Sequence, residues 1–212
     1  MPVKGIARPL LIRVTGRPPR AYPLPSGVPE DDEKHEILRE CARRFRCRVL
    51  VETGTYQGDT VAAVRRDFDD IYTIELHHEL YRRARWRFVL DRHVHVVSGD
   101  SAEELDRLLP QLTRPTLFWL DAHYSCGGVT SAKGKYDPPL LYELKAILGL
   151  REPRHVVLID DARLFGTEPS YPALDAVERV VRESGLGLEV DVSRDIVRIY
   201  RRASGEDGVG EG

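Results

Sequence analysis

Acidic residues recur at one kind of place in this chain: Glu52 in VLVETG, Glu75 in IYTIEL, Asp100 in VHVVSGD, Asp121 in TLFWLDAH, and Asp160 with Asp161 in HVVLIDDA. Each stands at the end of a short run rich in Val, Ile, Leu, Thr, Phe or Trp, which has the length and composition of a buried strand. After the first run comes a turn with two glycines, Gly54 and Gly58, and then at once a helical pattern, VAAVRRDF. Glycine in such a turn lets backbone approach a ligand that any Cβ would obstruct. Six carboxylates left unpaired on one rim would repel one another and raise their own pKa values, which a cation or a polyhydroxyl ligand relieves. The spacing E-x-G-x-x-x-G is not the G-x-G-x-x-G of dinucleotide sites, and no G-K-[ST] makes a phosphate loop. A nucleoside without pyrophosphate fits the turn better.

The elements that must position these residues alternate along the chain. In 31–46 the apolar positions Ile37, Leu38, Cys41, Ala42 and Phe45 recur at three- and four-residue steps after an acidic first turn, which predicts an amphipathic helix. A strand over 49–52 and a helix over 59–67 follow. Next come strand 71–76 and helix 79–90, strand 94–100 and helix 102–112, then strand 116–123. Helix 140–148, strand 155–162 and helix 173–183 continue the series, and LEVDVSRDIVRIYRR closes it as a hairpin. Five strand-helix units and a hairpin predict a doubly wound α/β fold: a mainly parallel seven-stranded sheet with helices on both faces and an antiparallel C-terminal pair. Ligands of such sheets bind beyond the carboxyl ends of the strands, where the acids stand.

The first 30 residues, rich in Pro, Arg and Gly, read either as an arm lying on the domain or a second subunit, or as a loose tail. Residues 31–202 form the predicted domain, and 203–212 (ASGEDGVGEG) read as a disordered tail.

Together these motifs resemble the class I S-adenosylmethionine-dependent methyltransferases, over about 49–201. VETGTYQG is similar to their first motif, whose turn passes under the methionine part of the cofactor. The resemblance implies a Rossmann-like methyltransferase fold with Glu52, Gly54, Thr55, Tyr56 and Gly58 around that part. It puts Glu75 on both ribose hydroxyls, since the two oxygens of a carboxylate suit a vicinal diol. Asp100 and Ser101 fall beside the adenine, and Asp121 at the reacting end.

Asp121, Asp160 and Asp161 end neighbouring strands ~5 Å apart, and three oxygen donors that close suit Mg²⁺ or a similar hard divalent ion rather than zinc. Here the chain resembles the metal-dependent sugar O-methyltransferases of the macrocin type, in which the same three acids hold the ion. Two positions after the first metal acid that family has an aspartate proposed as general base, whereas this chain has His123. A histidine of ordinary pKa is suited to take a hydroxyl proton near neutrality. In the structural alternative Asp161 caps a loop or helix and Asp160 pairs with Arg163.

The glycines and the residues Tyr124, Lys133, Lys135 and Tyr136 of 124–139 read as a lid or as an ordinary surface loop. His77 and His78 either touch the ribose or open the next helix. Trp119 reads as core, and Trp86 as core or a subunit contact.

Composition narrows the classes. A net charge of −2, with arginines offset by acids, points away from nonspecific nucleic-acid or membrane binding. No asparagine-proline-proline-tyrosine type motif for base-amine methylation stands after the fourth strand, where LDAHYS is found. Three cysteines without a C-x-x-C indicate neither a disulfide framework nor a zinc ribbon, so a cytoplasmic setting is expected. The expected partner is a small-molecule hydroxyl substrate, with self-association left open. The competing expectations are a metal-independent N- or O-methyltransferase and a non-catalytic S-adenosylmethionine-binding module.

Overall fold

The computed structural model describes residues 29–121, 139–150, 155–168 and 171–202. Of the predicted arm and tail, only Pro29 and Glu30 fall within them. The predicted lid, apart from Pro139, also lies outside the described residues, as do His123 and Cys126.

Helix α1 (Asp31–Phe45) leads into strand β1 (Val49–Thr53), followed by α2 (Asp59–Val64), β2 (Asp70–Glu75), α3 (His78–Arg87), β3 (Val94–Ser98) and α4 (Ser101–Leu108). After these come β4 (Thr116–Leu120), α5 (Leu140–Leu148), β5 (Val156–Ile159), α6 (Leu174–Glu183), β6 (Glu189–Ser193) and β7 (Ile196–Tyr200). The seven strands form one sheet in the order β3-β2-β1-β4-β5-β7-β6. β1 to β5 run parallel, and β7 is antiparallel to both β5 and β6. This is the doubly wound sheet with a terminal hairpin that the sequence predicts.

Alternation along the strands produces two cores. Leu50, Ile71, Leu117, Trp119 and Leu158 face one way, against Ile37 and Leu38 of α1, Val61 and Val64 of α2 and Ala84 of α3. Val49, Val51, Ile74, Phe118, Leu120 and Ile159 face the other way, against Leu105 of α4, Leu144 and Ile147 of α5 and Val177 of α6. β1, β4 and β5 are buried along their whole length, as expected of central parallel strands covered on both faces. Trp119 is core as expected, whereas Trp86 is 75% exposed, which excludes its core reading.

Several elements are shorter than the sequence implies, each for a local reason. β4 and β5 end at Leu120 and Ile159, and the acids after them continue the ladder through backbone alone: Asp121 N–H donates to Thr53 O (3.1 Å) and Asp160 N–H to Leu120 O (3.1 Å). α4 stops at Leu108 because Pro110 tightens the last turn into a 3₁₀ helix over Leu109–Gln111.

Gly58 fixes the geometry of the first turn. Its φ is 75°, and a Cβ there would lie 2.8 Å from Cε2 of Phe88, itself only 4% exposed. Gly58→Ala therefore meets both left-handed backbone strain and overpacking, with an expected cost of roughly 2–3 kcal/mol. Urea unfolding checks this, and an unchanged midpoint would refute it.

Candidate functional site

The strand order reverses between β1 and β4, so the crevice at their carboxyl ends is where a doubly wound sheet takes a ligand. The turn after β1 folds over the end of β2. Gly54 has φ 89°, and the N–H groups of Gly54 and Thr55 both donate to Ile74 O, at 3.0 and 3.2 Å. Thr55 Oγ1 lies 2.5 Å from Thr73 Oγ1. Tyr56, also at positive φ, is 48% exposed.

Glu75 closes β2 and is 7% exposed. The Tyr56 N–H donates to Oε2 (2.8 Å) and the His77 N–H to Oε1 (2.7 Å), so the carboxylate is fixed from both sides. Each oxygen keeps a further lone pair, as a vicinal diol requires. Two buried polar atoms nearby, Thr53 Oγ1 at the end of β1 and His77 Nδ1 after β2, have no hydrogen-bond partner among the described residues. Buried polar atoms normally find one, so a polar ligand fits this end of the sheet.

Asp100 caps α4 by accepting from Ala102 N–H (3.0 Å). Ser101 donates its hydroxyl to Glu143 Oε1 on α5. Glu143 is 1% exposed, and burial pushes its carboxyl up to about 7.

Glu52 departs from its expected position. It is the penultimate residue of β1, 1% exposed, on the same sheet face as Thr73 and Trp119, rather than on the rim. Burial pushes its carboxyl up to about 8, against the opposing hydrogen bonds from Thr73 (2.5 Å) and Thr60. The sequence signal was available: a residue inside a strand covered on both faces cannot reach solvent.

Asp121, Asp160 and Asp161 converge as expected, each offering an oxygen within 4.8 Å of the others. Burial, then the charge of Asp160, holds the Asp121 carboxyl well above the usual range; burial also raises Asp160, partly offset by Lys34. Three carboxylates this close, offering only oxygen donors, fit a hard divalent ion.

The structure adds a residue that sequence reasoning missed. Lys34, in the first turn of α1, is 9% exposed and puts its ammonium 2.5 Å from Asp160 Oδ2 and 3.9 Å from Asp161 Oδ1. Its signal was a lysine in the apolar stripe, one turn before Leu38 and two before Cys41. The other partners of the pair are also set. Asp160 Oδ1 accepts from Asp161 N–H (2.8 Å), while Asp161, at φ 59°, accepts from Arg163 Nη1 (2.8 Å) and from the Tyr171 hydroxyl (3.1 Å). Arg163 thus pairs with Asp161, and Lys34 with Asp160.

No family model matches this sequence, and neither does any curated protein. Solved structures do match its fold. An S-adenosylhomocysteine-bound methyltransferase from Podospora anserina superposes with a TM-score of 0.57 at 16% identity, covering 82% of this chain and 80% of that one. An O-methyltransferase from Bacillus cereus, in complex with the same compound, gives 0.56 at 15% identity, covering 84% of each chain. The Streptomyces achromogenes O-methyltransferase involved in tomaymycin synthesis, in complex with S-adenosylmethionine, gives 0.54 at 21% identity, covering 81% of this chain and 80% of that one. The chain has the Rossmann-like fold of class I methyltransferases.

Proposed function

We propose that this protein is an S-adenosylmethionine-dependent methyltransferase that methylates a hydroxyl of a small polyhydroxyl or sugar-containing molecule with the help of a divalent ion. The observation that carries the reading is Glu75, held by the amides of Tyr56 and His77 at the end of β2 beside the glycine turn, with a lone pair free on each oxygen. The matched structures with S-adenosylmethionine or its demethylated product, two of them O-methyltransferases, support it.

In this reading S-adenosylmethionine would supply an electrophilic methyl group, and Asp121, Asp160 and Asp161 would hold a divalent ion that lowers the pKa of the substrate hydroxyl. Glu75 takes the ribose diol, and Gly54, Thr55, Tyr56 and Gly58 shape the seat of the amino-acid part. Asp100 and Ser101 lie toward the adenine, with Ser101 acting through its backbone because its hydroxyl is taken by Glu143. His123, two residues after Asp121 in sequence, would take the hydroxyl proton as the oxygen bonds to the methyl carbon in line with the breaking methyl–sulfur bond, leaving S-adenosylhomocysteine. The acceptor is a small molecule rather than nucleic acid. No helix among the described residues is long and apolar enough to cross a membrane.

A metal-independent methyltransferase is the second reading, favoured by the Lys34 ammonium already paired with Asp160. Turnover over a panel of polyhydroxylated aromatics and glycosides, with EDTA and with added Mg²⁺, separates the two. EDTA is expected to abolish methyl transfer and Mg²⁺ to restore it, and His123→Ala to slow it by ~10²–10⁴-fold. Full turnover in EDTA would select the metal-independent enzyme. Absence of any S-adenosylhomocysteine binding by calorimetry would remove both.

A further inference from the structure

The Lys34 ammonium reaches the acidic triad from α1, an element that supplies none of its carboxylates. Lys34 lies 126 positions from Asp160 in sequence, and its side chain is 11% exposed. Around it each oxygen of Asp160 and Asp161 already accepts one hydrogen bond. Asp160 gives Oδ1 to a backbone amide and Oδ2 to Lys34, and Asp161 gives its two oxygens to Arg163 and Tyr171. A hard divalent ion on Asp160 Oδ2 would bind at ~2.0–2.6 Å, beside the ammonium that this same oxygen already holds. Two cations that close repel each other. Lysine also differs from arginine in being a point charge on a flexible four-carbon stem, able to swing away without breaking a fixed fork of bonds.

We propose that Lys34 is the triad's built-in counter-cation and that a divalent ion binds there only by displacing its ammonium from Asp160. The inference rests on the metal-assisted reading of the same site. In the ion-free protein Lys34 holds the carboxylates together, and in the loaded protein it is released toward solvent. The affinity for the ion is therefore a competition, weaker than three converging aspartates alone would give, with Lys34 opposing the ion at Asp160 while Arg163 stays on Asp161.

Two measurements on the full chain test this. Mn²⁺ titration, followed by the paramagnetic resonance of the free ion, compares wild type with Lys34→Met, and binding at least tenfold tighter is expected in the variant. Acetylation of wild type, read by mass spectrometry, is expected to modify Lys34 several-fold faster with Mn²⁺ than without, using exposed Lys145 as the internal reference. Because the second measurement needs no variant, it decides even if Lys34→Met fails to fold. Equal affinities with unchanged Lys34 labelling would overturn the competition while leaving the metal-assisted reading intact. No Mn²⁺ binding by either protein, with S-adenosylhomocysteine still bound, would overturn the competition and the metal together and leave methyl transfer standing.

Discussion

Glu75→Ala is expected to weaken S-adenosylhomocysteine binding by ~10²–10⁴-fold, as read by titration calorimetry. Hydrogen bonds to a charged group contribute ~1.5–3 kcal/mol each, and the carboxylate is placed to accept two from the ribose. The substitution also releases the Tyr56 and His77 amides, whose positions shape the turn after β1 and the start of α3. Glu75→Gln separates these roles. It keeps one carbonyl acceptor and the side-chain length, so it should fall between wild type and alanine. If alanine binds as tightly as wild type, the nucleoside is not held at the end of β2 and the proposed cofactor site is wrong.

The second large effect concerns Glu52 and appears in the stability of the ligand-free protein. An unfolded glutamate titrates near ~4.3, whereas burial pushes Glu52 up to about 8. Below the lower value both states carry the proton and the full stability is present. As pH rises between the two, the unfolded chain loses the proton while the folded chain keeps it, so stability falls until the folded carboxyl has ionised. That span corresponds to roughly 5 kcal/mol. Glu143, raised to about 7, acts in the same direction over a narrower window. Glu52→Gln, neutral at every pH, should flatten most of this fall. The variant's advantage in urea unfolding should grow from pH 5 to about pH 8 and level off above it, and a pH-independent difference between the two proteins would contradict the burial of an ionisable group there.

Much of this architecture is legible in the sequence because it is local. Alternating apolar runs and helical stripes predict every strand and α-helix to within a few residues, and the acids at or just past the ends of β2, β3, β4 and β5 mark the rim because charged side chains end buried runs. What stays hidden is tertiary. Lys34 meets Asp160 across 126 positions, and Ser101 meets Glu143 across 42, contacts that no local pattern specifies. Glu52 was misplaced for a different reason: a strand's last residue is uncertain by one or two, and one step there separates a solvated acid from one sealed between layers.

The interior position of β7 bears on how the chain is made. β7 is the last strand synthesised, yet it lies between β5 and β6, with Ile196, Val197 and Ile199 fully buried. From the completion of β5 at Ile159 to that of β7 at Tyr200, roughly forty residues must be translated, about 2–8 s at ordinary ribosomal rates. Throughout that interval the nascent sheet presents the unpaired backbone of β5 to its surroundings, a template for joining a neighbouring polypeptide. Chaperone demand and losses to inclusion bodies should therefore concentrate in this window, and slowing translation after residue 160 should lower the soluble yield.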